Sequence, residues 1–356
     1  MITMAITVLS GCSKDVVETE EILPGSGKVI GLAMPTQHSQ RWINDCENMK
    51  VRLEELGYLV SDQFAENDVN RQIAQIENFI EQKVDCLVVA AVDSYALGNV
   101  LTKAKEAGIP VIAYDRLLMD TDAICYYATF DNKAVGTIIA NEIVDQADLD
   151  EVRKAGESRT IEFFMGSPDD NNAVMLYDGL MEVLKPYMDD GTLVCKSGKF
   201  TFMETCIIRW SEEEAQERCA RLLDVHYKNE DLDIVASAFD GFAYGCKTAL
   251  ENAGYTKDNW PIITGQDADL KACKNILAGK QTSSVYKDTR VLAEKCVTMV
   301  NAVCNGSNPE INDIEQYNNR VITVPSYLCT PVIINADNIE EIIVDGGYYT
   351  KEELMD

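Results

Sequence analysis

The feature that most constrains this chain is an alternation. A short apolar run is followed by a polar turn, a helical stretch, another turn and the next run. The clearest unit is 101–116. A helical stretch at 101–107 leads through Gly108-Ile109-Pro110 into Val111-Ile112-Ala113-Tyr114, which ends in Asp115-Arg116. Short apolar runs fed by helices read as parallel strands with crossover helices. Strands are predicted at 28–34, 59–64, 85–91, 110–114 and 127–130, with helices at 43–56, 71–82, 96–107 and 134–144. A polar insertion at 145–158 follows, and the pattern restarts. Strands are predicted at 160–165, 192–195, 233–238, 261–264 and 282–286, with helices at 175–184, from Ser211 onward, at 244–252 and at 270–277. A helix at 291–304, extended segments at 321–328 and 332–334, and a helical turn at 338–344 complete the pattern. The fold class is therefore α/β: two doubly wound units of similar layout in one chain, each a mostly parallel sheet with helices on both faces.

Composition excludes several functions. The 356 residues suffice for two cores. The formal charge of −28, from 59 acidic and 31 basic residues, argues against nucleic acid and against adsorption to anionic lipid. Gly31-Leu32-Ala33-Met34-Pro35-Thr36 stands where a dinucleotide-binding GxGxxG would follow the first strand, and GxxxxGK[ST] is missing throughout, so no nucleotide cofactor is expected. There are twelve cysteines but no CxxC, and the two histidines, His38 and His226, have no zinc-type spacing to them. No metal is expected. Cys86, Cys219, Cys246 and Cys296 sit in apolar patterns and read as small buried hydrophobes.

In open α/β sheets, ligands sit outside the carboxyl ends of the strands. In the first unit those ends carry Arg41, Trp42, Asp115 and Arg116. In the second they carry Asp170, Asn171, Asn172, Asp240 and Asp267, with Trp210 on a loop and Lys287 after the last strand. Each has an ordinary reading. Asp115-Arg116 is either a ligand-binding pair or an ion pair that fixes a loop. Trp42 is either a core residue or a flat platform for a ring. Asn and Asp are common at turns for structural reasons alone. The informative point is that nearly every strand end carries such a group, alongside two tryptophans.

These motifs resemble bacterial periplasmic sugar-binding proteins of ABC transporters, in the xylose-binding and multiple-monosaccharide-binding branch. The resemblance rests on Met34-Pro35-Thr36 with Arg41-Trp42, Ala113-Tyr114-Asp115-Arg116, Phe130-Asp131-Asn132 and Gly166-Ser167-Pro168-Asp169-Asp170-Asn171-Asn172-Ala173. Gly265-Gln266-Asp267-Ala268-Asp269, Val285-Tyr286-Lys287 and Val324-Pro325-Ser326-Tyr327-Leu328 with Thr330-Pro331-Val332 also match. It covers about residues 28–349. It implies the type I periplasmic binding fold, two Rossmann-like lobes joined by a three-segment hinge. One lobe would be 28–130 plus 284–318, the other 131–283 plus 319–356. It also implies capture of a monosaccharide, an aldopentose or aldohexose such as xylose, glucose or galactose, for delivery to the permease subunits of an ABC transporter. No catalysis is implied, because acids matched by Arg and Lys are held ionised for binding. A chemosensory or signalling receptor for a related small polar ligand is the alternative.

The chemistry suits a pyranose. Trp42 and Trp210 would cover its apolar faces. Asp115, Asp170, Asp240 and Asp267 would accept from hydroxyls, and Arg41, Arg116 and Lys287 would donate. Asn171 or Asn172 can do both. The family often has Asn where Phe239 stands, so one polar contact is lost or the aromatic packs against the sugar. For Asn132 a hinge role is preferred to direct contact.

At the start, Leu9-Ser10-Gly11-Cys12 resembles the lipobox of bacterial lipoproteins, which implies a lipid anchor at Cys12 and an extracytoplasmic location. The apolar run before it is short, and no Lys or Arg precedes it. Residues 1–27 are then signal remnant and tether, and a monomer is expected.

Overall fold

A computed structural model describes residues 23–355. The first sheet contains β1 (Val29–Met34), β2 (Leu59–Phe64), β3 (Cys86–Val89), β4 (Val111–Tyr114) and β5 (Ile124–Phe130). The second contains β6 (Arg159–Phe164), β7 (Leu193–Val194), β8 (Ile234–Ser237) and β9 (Ile262–Ile263). Three late strands follow: β10 (Ser283–Tyr286), β11 (Ser326–Cys329) and β12 (Val332–Asn335).

The sheet orders are β11-β5-β4-β3-β1-β2 and β7-β6-β8-β9. All pairings within both are parallel. The strand order reverses beside β1 in one sheet and beside β6 in the other, and such switch points open a crevice at the carboxyl ends.

Buried runs such as Cys86–Val89 and Val111–Tyr114 are apolar on both faces because helices cover both. Helices Gln40–Glu55 and Thr289–Cys304 pack on one face of the first sheet, and Val69–Gln82 and Gly98–Glu106 on the other. In the second lobe Asn132–Gln146 and Asn171–Asp189 cover one face, and Glu212–His226 and Asp240–Asn252 the other. The segment 145–158, expected to be a polar insertion, contains a further short helix, Leu149–Ala155.

Several helices start on an aspartate at a strand end. Asp131, Asp170, Asp269 and Asp288 accept from the backbone N–H of Ala134, Asn172, Ala272 and Arg290 at 3.0, 2.9, 2.9 and 3.0 Å. Each satisfies one of the free donors of the first turn. Ser211 does the same for Glu214 N–H at 3.1 Å.

Two lobe boundaries differ from expectation. β11 lies parallel to β5, so the chain leaves the first lobe after Cys329 and not at 318. β10 pairs antiparallel with β12, and its Val285 bridges Gln266, so 284–286 belong to the second lobe. Short edge strands of this kind carry a weak sequence pattern, and their partner is chosen by the sheet they reach. Cys12 lies outside the described residues. Among the described residues no helix is long and apolar enough to cross a membrane, and no His, Cys, Asp and Glu group is set to hold a metal. The described cysteines are all unpaired, most of them buried.

Candidate functional site

The carboxyl ends of the two sheets face each other across a cavity of about 390 Å³. That is the size range of a small-molecule site. Its wall includes Arg41, Trp42, Asp115, Arg116, Asp170, Asn172, Trp210, Asp267 and Lys287.

Asp115 follows β4 in a left-handed conformation, φ +59°. That backbone is costly for a non-glycine residue and persists only where its surroundings hold it. Here Asp115 N–H donates to Ala128 O at 2.8 Å. The hydroxyls of Tyr127 and Thr129 and the Asn172 amide donate to Asp115 O at 2.5, 2.9 and 2.8 Å. The carboxylate is thereby fixed towards Arg41, which it meets in a short ion pair.

Asp267 has the same character, with φ +95°, and its N–H donates to Val285 O at 2.9 Å. Its Oδ1 lies 2.8 Å from Lys287 Nζ and 3.3 Å from Arg41 Nη1. Burial works to raise this carboxyl, but Lys287 and Arg41 outweigh it and hold the group below the usual carboxylate range. Asp170 goes the other way. Burial raises it, and Arg116, with Nε 3.1 Å from Oδ2, only partly offsets that. Arg116 also donates to Ala91 O at 2.9 Å. Arg41–Asp267, Arg116–Asp170 and Asn172–Asp115 all run from one lobe to the other, so the wall is a single polar network across the cleft.

Trp42 is at once a core residue and part of the cavity wall. The ring is 6% exposed and part of the first lobe's core, yet it lines the cavity. The guanidinium carbons of Arg41 and Arg116 lie 5.1 and 5.4 Å from its centroid. Trp210 is stacked on Phe242 at 5.7 Å and 11°, with Phe239 edge-on at 5.8 Å. A Cβ on Gly166 would fall 2.1 Å from the Trp210 ring, so only glycine admits it there. Phe239 lines the cavity and braces Trp210; it is an aromatic wall where a polar contact is absent.

Two expected residues are not in the wall. Asp240 is wholly buried behind it. Its Oδ1 accepts from Gln281 Nε2 and Ser284 Oγ, both at 2.8 Å, and its Oδ2 accepts from Asp269 N–H at 3.2 Å. Burial, then the nearby Asp269, raises its carboxyl well above the usual range. It organises the β8 and β9 loops from behind. Asn171 begins its helix beside Asn172 but points about 100° away from it, and Asn172 alone of the two is in the wall.

The wall also holds Arg209, Gln266, Tyr244 and Asp269, to which the sequence assigns no contact, and Asn132, for which a hinge role is preferred. Arg209 was legible: Arg209-Trp210 repeats the Arg41-Trp42 pair of the first lobe. Its Nη1 lies 3.4 Å from both Asp169 Oδ2 and Val92 O, the latter in the first lobe. Asn132 is at the first crossing, where Tyr317 OH accepts from its backbone N–H at 3.2 Å. It is a crossing residue that also lines the cavity.

Residues 30–308 match the family model described as periplasmic binding protein domain. The chain is 45% identical to the multiple sugar-binding periplasmic receptor ChvE of Rhizobium radiobacter, over 91% of this chain and 92% of that one. The chain belongs to the periplasmic sugar-binding protein family of ABC transporters. Within the family it is also 34% identical to the D-xylose-binding periplasmic protein of Escherichia coli K12, over 91% of this chain and 92% of that protein. Among solved structures, an ABC transporter solute-binding protein from Clostridium phytofermentans with bound β-D-glucose superposes with a TM-score of 0.88 at 45% identity. The match covers 92% of this chain and 100% of that one. The type I fold expected from the strand-end motifs is therefore the fold of this family. Its members are extracytoplasmic transport receptors, not enzymes.

Proposed function

We propose that this protein captures one aldopentose or aldohexose, such as xylose, glucose or galactose, between its lobes and presents it to the permease subunits of an ABC transporter. The observation that carries the reading is the charge-matched cleft between two tryptophans. Asp115, Asp170 and Asp267 are paired with Arg41, Arg116 and Lys287, and the Arg41–Asp267 and Arg116–Asp170 pairs cross the cleft. A wall in which buried charges already neutralise one another favours a neutral ligand with many hydroxyls, because each hydroxyl can accept from a cation and donate to an anion at once. Trp42 and Trp210 offer flat apolar surfaces for the ring faces. The names of relatives fit this class: one binds multiple sugars, one D-xylose, and one structural neighbour holds β-D-glucose. Binding works by closure. Each lobe carries half of the network, and a ligand that bridges the halves shifts the population to the closed form. We further propose that the protein acts as a monomer held to the membrane through lipid on Cys12.

The test is calorimetric titration of protein refolded to strip carried ligand, against D-xylose, D-glucose, D-galactose, L-arabinose and D-ribose. One-to-one binding of an aldose is expected. Asp115→Ala or Arg116→Ala should weaken it by about 30-fold or more, the cost of leaving a buried charge without its partner. No heat with any of these sugars would overturn the reading.

A further inference from the structure

Behind the cleft is a charged group that the binding network does not explain. Asp45 lies on helix Gln40–Glu55, one turn after Arg41, and is 0% exposed. Neither of its carboxylate oxygens has a well-formed hydrogen bond, nor has Arg41 Nε, and the Tyr114 hydroxyl beside the carboxylate is too poorly placed to make one but close enough to lower it. Asp45 Oδ2 lies 3.6 Å from Arg41 Nε. A buried carboxylate without hydrogen bonds is costly, and an apolar side chain would fill the same space at less cost.

Arg41 holds the key position in the wall, since its two terminal nitrogens meet Asp115 of the first lobe and Asp267 of the second. Both acids draw on the outer edge of the guanidinium. Only Asp45 draws on the inner, Nε side. We propose that Asp45 is a positioning residue for sugar binding: its ionised carboxylate holds the Nε edge of Arg41 back and so presents Nη1 and Nη2 to the cleft. The inference rests on the monosaccharide reading above and deepens it.

The surroundings make this anchor sensitive to protons near neutrality. Burial pushes the Asp45 carboxyl up to about 7 against the attraction of Arg41. Arg41 remains protonated throughout. The groups that face Asp45 are Arg41 on its own helix, Tyr114 and Asp115 at the end of β4, and Asp267 from the second lobe. Cys296 of Thr289–Cys304 and Tyr348 of the C-terminal segment also face it. Asp115 and Asp267 are paired with bases, and burial raises Tyr114 and Cys296 far above neutrality. Asp45 is thus the group in this cluster poised to change charge near pH 7.

The experiment measures the dissociation constant for the tightest-bound aldose from about pH 8.5 to about pH 5.5 in the wild type and in Asp45→Asn. In the wild type the affinity should fall about three- to tenfold as the pH drops, the effect of a proton that binds up to about tenfold more tightly to the sugar-free protein than to the complex. In Asp45→Asn it should be weak and flat across the range. Tyr114→Phe keeps the carboxylate but removes the hydroxyl that lowers it. It should move the wild-type midpoint to higher pH, and it serves if Asp45→Asn does not fold. A dissociation constant independent of pH in the wild type overturns the inference. So does a pH dependence that persists in Asp45→Asn, or a midpoint that Tyr114→Phe leaves in place. Absence of sugar binding at every pH overturns the monosaccharide reading, and this one with it.

Discussion

Asp267, partly buried, and Asp45, wholly buried, are both carboxylates beside Arg41, yet the structure sets them on opposite sides of the ordinary carboxylate range. Asp267 has Lys287 at 2.8 Å as well as Arg41, and the two cations overcome burial. Asp45 has one cation, reached only at its Nε edge, and the Tyr114 hydroxyl, and burial wins. The consequences for stability are opposite in sign. A lowered carboxyl contributes stability above its unfolded value and loses it as the pH falls through the folded one. Asp267→Asn should therefore cost about 3 kcal/mol at about pH 7, because it leaves Lys287 with a weakened partner, and the gap to wild type should close towards about pH 3. Urea unfolding at both pH values measures it; a gap that stays constant would contradict the assignment. For a raised carboxyl the stability is present below the unfolded value and lost as the pH rises through the folded one. The melting temperature of Asp45→Asn should thus gain on wild type between about pH 6 and about pH 8.5. Together with the weaker sugar binding expected of that variant, such a gain would mark a residue kept for position at the expense of stability.

Helices Asn132–Gln146 and Asn171–Asp189 hold the second lobe against the first crossing, and they approach each other through a pair of glycines. A Cβ on Gly136 would lie 1.8 Å from Leu176 O, and one on Gly179 would lie 2.1 Å from Lys133 O. Both clashes are with backbone, so the helices themselves must separate. The same two helices begin at Asn132 and at the Asp170 cap, both in the wall of the cleft. Gly179→Ala should destabilise the protein by about 2–3 kcal/mol despite the better helix propensity of alanine. It should also weaken sugar binding, because the start of the helix moves with its axis. Thermal unfolding and a titration of the same sample check both; a variant with the wild-type melting temperature would show that the helices part without cost.

At the scale of the whole molecule the lobes are tied by polar groups rather than by a shared core. Ser94 N–H donates to Asp169 O at 3.0 Å, Arg209 reaches Val92 O, and the ion pairs of Arg41 and Arg116 cross between them. Polar interfaces between lobes are ones that open. In small-angle X-ray scattering the stripped protein should have a larger radius of gyration than the protein saturated with aldose, and Asp115→Ala should show no contraction at the same sugar concentration. Equal radii in all states would mean that binding proceeds without closure.

Much of this was legible in the chain. The alternation of short apolar runs with helices fixes two parallel sheets, because strands buried on both faces must be apolar throughout and parallel strands require crossovers. It also fixes where the polar groups emerge, and Arg41, Trp42, Asp115, Arg116, Asp170, Asn172, Trp210, Asp267 and Lys287 do line one cavity. Three things were decided only in the tertiary structure. A strand-end aspartate reads the same in sequence whether it faces the cleft, as Asp267 does, or turns inward to Gln281 and Ser284, as Asp240 does; the neighbouring loop chooses. The short strands β10 and β11 carry too little pattern to name their partners, so the lobe boundaries came from pairing. Asp45 looks in sequence like any acid on a helix, and its role depends on burial and on the distance to Arg41, quantities that exist only once the chain has folded.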